Sequence, residues 1–358
     1  MAAAAAGLGL AAAILATGCD PLRTTFAETE PGRLLEAQDP LEPPATLPPE
    51  LVVMTYNIKY GGARILFFWE CGGTRYNMTE EEVLGNMAGL AAKIREVDPD
   101  ILLLQEVDVG ATRAAYVDEA QYLLDHTALS YGAYASQWKA DYIPSDGLGR
   151  MDSGNVVLSK WPVREATRHA LPLIGNQDPL TQYFYLRRNV LEVRLDVPGI
   201  PDLRIFAVHA AAFATDGTKK KHIDRFKALM DAAVAEGALV VGGGDLNSIP
   251  PGSPKRENFN EDCEDARFKG DSYVGEEDWL DGLYADYQPA IPLDAFQANP
   301  VDYYTYSGRE DIFWNRKIDY LFTNGRFTSG VVHQDERTGL PTLPLSDHAP
   351  LVATLEVP

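Results

Sequence analysis

Ala238-Leu239-Val240-Val241-Gly242-Gly243-Gly244-Asp245-Leu246-Asn247 is a short apolar run that stops on three glycines and is followed at once by a carboxylate and an amide. Four apolar residues bounded by glycine read as a buried strand. The glycines have no Walker lysine after them, so they do not form a P-loop; they permit a close backbone approach beneath Asp245. The same grammar recurs outward in both directions. Leu51 to Tyr56 ends at Asn57, Ile101 to Leu104 ends at Gln105-Glu106, and Leu203 to Val208 ends at His209. Asn155 to Leu158, Asn189 to Leu195, Ile318 to Phe322 and Leu351 to Leu355 read as further strands. Thr79 with Glu82 forms a capping box, and Val83, Met87, Leu90 and Ile94 follow at helical spacing until Asp98-Pro99-Asp100. A second helix is expected over Lys219 to Glu236, with Ile223, Phe226, Met230 and Ala233 on one face. Strands outnumber helices, which predicts a mixed domain dominated by sheet.

Asn57, Glu106, His209, Asp245, Asn247, Asp319, Asp347 and His348 all lie at strand ends. One Asp in such a place is commonly a turn former, and one His a satisfied structural residue. A whole set points to a functional rim on a rigid sheet. Carboxylates and amides without a cysteine cluster are hard oxygen ligands, suited to Mg²⁺ or Mn²⁺. Two histidines supply acid, base or hydrogen-bond donor chemistry near neutral pH. No Gly-x-Ser-x-Gly elbow is present, which argues against a serine hydrolase.

The 358 residues carry a net charge of −21, against a dedicated nucleic-acid binder with a basic face, though a metal-dependent nuclease is not excluded. Residues 1–18 are nearly all Ala, Gly, Leu and Ile and end at Thr17-Gly18-Cys19, the pattern of a signal peptide of the lipoprotein type. Acylation of Cys19 is expected to anchor an exported bacterial chain in the cell envelope; secretion without the lipid is the alternative. Residues 19–48, rich in Pro and acid, read as a disordered tether, and 49–358 as the catalytic domain. With Cys19 acylated, Cys71 and Cys263 either pair in an oxidising compartment or stay separate buried thiols. An insertion at 63–78 holds Ile65-Leu66-Phe67-Phe68-Trp69, which suits a lipid- or base-contacting rim or a small satellite core. Residues 250–282 read as a second rim insertion. Lys219-Lys220-Lys221 is expected as a solvated helix start.

Met54-Thr55-Tyr56-Asn57-Ile58, Leu104-Gln105-Glu106, Gly154-Asn155-Val156-Val157-Leu158-Ser159, Val208-His209, Gly244-Asp245-Leu246-Asn247, Ile318-Asp319-Tyr320 and Ser346-Asp347-His348-Ala349-Pro350, in that order, resemble the endonuclease/exonuclease/phosphatase superfamily. That superfamily includes deoxyribonuclease I-like nucleases, sphingomyelinases and inositol polyphosphate phosphatases. The resemblance implies an α+β fold, a two-sheet β-sandwich flanked by helices in four α/β/β/α layers, with the site at one end of the sheets. It implies that Glu106, Asn57 and Asp347 hold the metal and that Asp245 activates water. Asn247 would hold a phosphate oxygen, His348 steadied by Asp319 would donate to the phosphoryl oxygens, and His209 would be the second histidine. Arg188 matches an arginine near the phosphate. The implied partner is a phosphate ester (nucleic acid, phospholipid headgroup or small phosphoester), hydrolysed by a monomer. A non-catalytic binding protein of the same fold is the reading from another class. Two departures stand out: no motif places the family's catalytic tyrosine, for which Tyr131, Tyr134 and Tyr142 lie in the right region, and none places the carboxylate that pairs with His209 in the family's nucleases.

Overall fold

The computed structural model describes residues 22–212, 214–259, 272–309, 313–334 and 338–357. The signal peptide, Cys19 and Cys263 lie outside these residues. The apolar run at Ile101 becomes β4 (Ile101–Asp108), buried on both faces, paired in parallel with β3 (Glu50–Asn57) and antiparallel with β6 (Gly149–Ser159). Beyond β3 lie β14 (Leu351–Glu356) and β13 (Arg326–Val332), and beyond β6 lie β5 (Tyr131–Ile143) and β2 (Arg33–Glu36), giving one seven-stranded sheet. The opening stretch becomes β10 (Leu239–Asp245), parallel to β9 (Leu203–His209) and antiparallel to β12 (Asp319–Thr323). With β8 (Asn189–Leu195), β7 (Val163–Ala170), β1 (Thr29–Pro31) and β11 (Gln288–Pro289) it completes a second seven-stranded sheet.

Alternation along each strand explains the layering, since successive side chains point to opposite faces. Leu51, Val53, Ile101, Leu103 and Val157 from one sheet meet Leu191, Val193, Ile205, Ala207, Val241 and Leu321 from the other in a shared core. The alternate residues Met54, Tyr56, Leu102 and Leu104 face outward and are covered by α1 (Glu80–Val97) through Val83, Met87, Leu90 and Ile94. Phe206, Val208 and Val240 are covered by α4 (Thr218–Ala235) through Ile223, Phe226 and Met230. The intervening short helices are α2 (Glu119–His126) and α3 (Pro179–Phe184); α5 (Asp281–Asp286) and α6 (Leu293–Ala298) follow α4. The result is the expected four-layer α+β sandwich. α1 starts at the expected capping box, and Asp98 closes it in the left-handed conformation.

The glycine run is explained by contact. A Cβ on Gly242 would sit 2.5 Å from the Met230 sulfur and 2.9 Å from Phe226, so α4 seats directly on the strand. Gly244, at φ +131°, would press a Cβ to 2.1 Å from the Val208 carbonyl oxygen.

Two expectations, the tether and the solvated Lys219, are corrected, and the alternative left open for the aromatic insertion is decided. Residues 29–36 are no free tether: β1 pairs with β7 and β2 with β5, so this segment borders both sheets. Short strands survive in a polar sequence because an existing sheet edge supplies their hydrogen-bond partners. The aromatic insertion joins the core on the α1 side, with Phe67 fully buried and stacked on Trp69 at 5.1 Å. Lys219 is buried rather than solvated. Cys71 forms a disulfide whose partner lies outside the described residues. Among the described residues no helix is long and apolar enough to cross a membrane.

Candidate active site

The side chains at the sheet rim follow the parity of the inter-sheet core. Asn57 continues the inward series of Val53, His209 that of Ile205 and Ala207, Asp245 that of Val241, and Asp319 that of Leu321. Where the apolar core ends at this rim, the next inward positions are polar. Sheet register then sets neighbours: Asp245 lies opposite His209 on one side and Asp319 on the other. Glu106 has the opposite parity and reaches the rim because β4 is irregular between Leu104 and Val107, with Glu106 at φ +57°. Such a bulge re-aims a side chain, and a left-handed carboxylate residue is a strained one.

Asp245 Oδ2 is the hub. It accepts from Asn57 Nδ2 at 3.2 Å and lies 3.4 Å from His209 Nε2 and 3.7 Å from His348 Nε2. Its other oxygen accepts from the Asn247 backbone N–H at 2.9 Å. Asn57 Nδ2 also reaches Glu106 Oε1 at 3.2 Å, and His209 Nε2 is 3.8 Å from that oxygen. His348 Nδ1 contacts Asp319 Oδ2 at 2.8 Å, and Asp319 Oδ1 is buried without a hydrogen-bond partner. Ser346 Oγ donates to the Asn57 carbonyl at 2.8 Å and reaches Asp347 Oδ1 at 3.3 Å, tying the Asp347-His348 turn to β3.

These groups perturb one another strongly. Burial, then the neighbouring Asp319 and Glu106, raise the Asp245 carboxyl above its usual range against the pull of His348. Burial and then Asp347 raise Glu106. Burial alone would discharge His348, but Asp319 and Asp245 outweigh it and lift the ring to about 10. Burial resists the charge on Asp347, yet Lys59, His348 and Arg64 hold it below the ordinary carboxylate range. Burial, with Arg188 and His348 adding to it, keeps His209 neutral.

The remaining expected residues sit beside this centre. Arg188 donates from Nη1 to the His209 carbonyl at 3.3 Å. Asn247, at φ +49°, turns its amide nitrogen to the Ala210 carbonyl at 3.1 Å. Several neighbours escaped the sequence reading. Lys219 Nζ donates to the Asn247 carbonyl at 2.7 Å and pairs with Glu276 at 2.8 Å. The Tyr306 ring meets His348 edge-on at 5.0 Å, and Gln137 faces His209. Of the three tyrosines of the β5 region, Tyr134 commits its hydroxyl to Asp152 at 2.6 Å, and Tyr142 is exposed.

A model of the Endonuclease/Exonuclease/phosphatase family matches residues 54–348, the span from β3 to His348. The chain belongs to the endonuclease/exonuclease/phosphatase family. Membership makes it a phosphoesterase or nuclease-type hydrolase of a divalent-metal-dependent family. Among solved structures, an endonuclease/exonuclease/phosphatase from Beutenbergia cavernae DSM 12333 is similar at 22% identity and TM-score 0.56, covering 87% of this chain and 72% of its own. A family protein from Leptotrichia buccalis C-1013-b is similar at 14% identity and TM-score 0.52, covering 86% and 100%. A D. rerio TDP2 humanised by 14 mutations is similar at 14% identity and TM-score 0.51, covering 87% and 100%. At these identities the likeness is one of fold. None of the curated proteins matches the sequence.

The donor set fits a divalent cation. Among the described residues, ligand atoms of Asp245, Asp319 and His348 lie within 4.8 Å of one another. His348 is held as a cation, which leaves its ring no lone pair to offer. Glu106 is raised because it crowds Asp347 in a buried place, the situation a hard cation relieves.

Proposed function

We propose that the chain hydrolyses phosphate esters by in-line attack of water with Mg²⁺ or Mn²⁺, as an exported protein anchored through lipid on Cys19. The observation that carries the reaction is the Asp245 hub, a buried carboxylate of raised proton affinity between two imidazoles. Glu106, Asn57 and Asp347 are the residues that would hold the metal, which when bound supplies charge stabilisation to the phosphoryl oxygens. Asp245 orients the attacking water and takes its proton. His348, charged by Asp319, donates from Nε2 to the phosphoryl oxygens as negative charge grows there. His209, neutral, donates from the other side, and Asn247 shapes the phosphate end of the cleft.

Among substrates we favour small or lipid-borne phosphoesters over long nucleic acids. Among the described residues Lys59 is paired with Glu70, and Arg64 and Arg188 spend donors on the Ser307, Ser346 and His209 carbonyls, which leaves few cations to spread along a backbone. A polyanion needs free cations to displace its counterions, and the net charge of −21 repels it further. The test is turnover by the purified full chain, with Mg²⁺ or Mn²⁺ and with EDTA, of sphingomyelin, inositol phosphates, an aryl phosphodiester, supercoiled DNA and RNA. Metal-dependent turnover of a small or lipid ester, lost in Asp245→Ala, supports the reading. Cleavage of nucleic acid alone overturns the substrate preference. No turnover in any arm overturns the catalytic reading in favour of a binding protein.

A further inference from the structure

The departure noted in the sequence, a second histidine without a carboxylate partner, has a structural answer on the opposite sheet. Along β5, Ala133 and Ala135 face the inter-sheet core, and Gln137 is the next residue of that inward series. It points across the sandwich to β9, where His209 is the last inward residue. The Gln137 amide nitrogen lies 3.4 Å from His209 Nδ1. Both side chains are buried, at 1% and 3% exposure, so water does not compete for this contact.

Gln137 is placed there by a built support. The register of β5 against β6 shifts between Ser136 and Trp138, which makes Gln137 the extra residue of a bulge. The carbonyls flanking that bulge are pinned. Asn189 Nδ2 and Arg168 Nε donate to the Ser136 carbonyl at 3.0 and 2.9 Å, and the Arg187 N–H donates to the Gln137 carbonyl at 2.6 Å. Asn155 in turn donates to the Asn189 side chain at 3.2 Å. Three side chains and a backbone N–H therefore fix the point from which the Gln137 amide extends.

The chemistry of the contact is one-directional. An amide nitrogen has no lone pair to accept with, so it donates and His209 Nδ1 accepts. The ring proton then resides on Nε2, which faces Asp245 and Glu106. We propose that Gln137 is the positioning residue of His209, holding the ring in the Nε2–H tautomer with that donor aimed at the reacting phosphate. The Gln137 Oε1 atom has no hydrogen-bond partner, and the opposite amide orientation, Oε1 accepting from Nδ1–H, is the competing arrangement. That arrangement would leave Nε2 unprotonated in a neutral ring and remove the donor from the site.

The proposal rests on the phosphoester reading for its catalytic consequence but not for its geometry, so it is tested in two arms. Two-bond ¹H–¹⁵N correlation spectra of the full chain, labelled in histidine and metal-free, assign the tautomer of His209 by comparison with His209→Gln. The expected spectrum is a neutral ring protonated on Nε2 in the wild type, a tautomer mixture in Gln137→Leu, and protonation moved onto Nδ1 in Gln137→Glu. The kinetic arm expects Gln137→Leu to lower kcat about 10–100-fold with KM little changed, the scale of losing a group that orients a functional histidine. Should Gln137→Leu fail to fold, Gln137→Glu keeps the hydrogen-bonding shape and carries the spectroscopic test. A wild-type ring protonated on Nδ1, or an unchanged tautomer in both variants, overturns the proposal. Absence of turnover in every arm would overturn the function while leaving the spectroscopic result to decide the positioning.

Discussion

Asp245 concentrates the conflict between stability and chemistry at this rim. Its buried carboxyl is crowded by Asp319 and Glu106, and its proton affinity rises accordingly. Asp245→Asn is expected to lower kcat by about 10²–10⁴-fold, the range for loss of a positioned base. The same variant should melt at a higher temperature than the wild type without metal, because one crowded charge is gone. Saturating Mg²⁺ should narrow that difference, and calorimetry with and without EDTA reads both effects. His222 gives the opposite case, a ring kept neutral by burial at about 4 while it accepts from the Ala211 N–H at 3.2 Å and donates to the Pro172 carbonyl at 2.7 Å. Its folded affinity for protons lies below the unfolded value near 6.5. Its contribution is therefore complete above pH 6.5 and declines as pH falls toward 4, by about 3 kcal/mol at most. The stability advantage of wild type over His222→Gln should shrink over that window in urea titrations. At this scale the residues legible in sequence were those following a strand with a short motif, such as Asp245 and His348. Gln137, Lys219 and Tyr306 were illegible because their partners are 72, 28 and 42 positions away and no local pattern marks them.

Strands and helices were legible where periodicity is strong. β8 spans Asn189–Leu195 as read, and α1 and α4 begin within a residue of their expected starts. β5 was missed because Tyr131 to Ile143 mixes Gly, Ala, Lys and Asp, a pattern with no clean alternation. Its strand character comes from lying between β6 and β2 rather than from its own composition. β7 and β13 were missed for the same reason, being polar strands on one side of a sheet. The glycine run is a case where element and site meet. Gly242→Ala puts a methyl against the Met230 thioether and the tip of the Phe226 ring, which must shift where α4 seats on β10. Overpacking of this kind is expected to cost about 1–3 kcal/mol, read as a lower urea midpoint at unchanged m-value. Because Lys219 on α4 holds the Asn247 carbonyl, any movement of the helix that accompanies this repacking should also lower activity in the variant.

For the molecule as a whole, parity links the sandwich to its chemistry: one inward series per strand builds the core and then, at the rim, the site. The layered fold could be read from the motifs, but the boundary of the domain could not. A polar, proline-rich segment looks disordered by composition, and only the two exposed sheet edges give residues 29–36 a place. Removing residues 22–36 should leave β5 and β7 as bare edges. The shortened chain is expected to melt earlier and to self-associate, which light scattering and size-exclusion chromatography at several concentrations would detect.

Those edge strands also impose an order on biosynthesis. β1 and β2 leave the ribosome early, yet β2 waits for Tyr131–Tyr134 and β1 for Thr167–His169 before either has anything to pair with. From Glu36 to Tyr131 for β2, and from Pro31 to Thr167 for β1, the nascent N-terminal segment remains an open chain, accessible to whatever machinery handles it. The β2 edge can close once Tyr131–Tyr134 are out and the β1 edge only after Thr167–His169, while β11 to β14 are still to be made, so each early strand is paired by chain translated well after it.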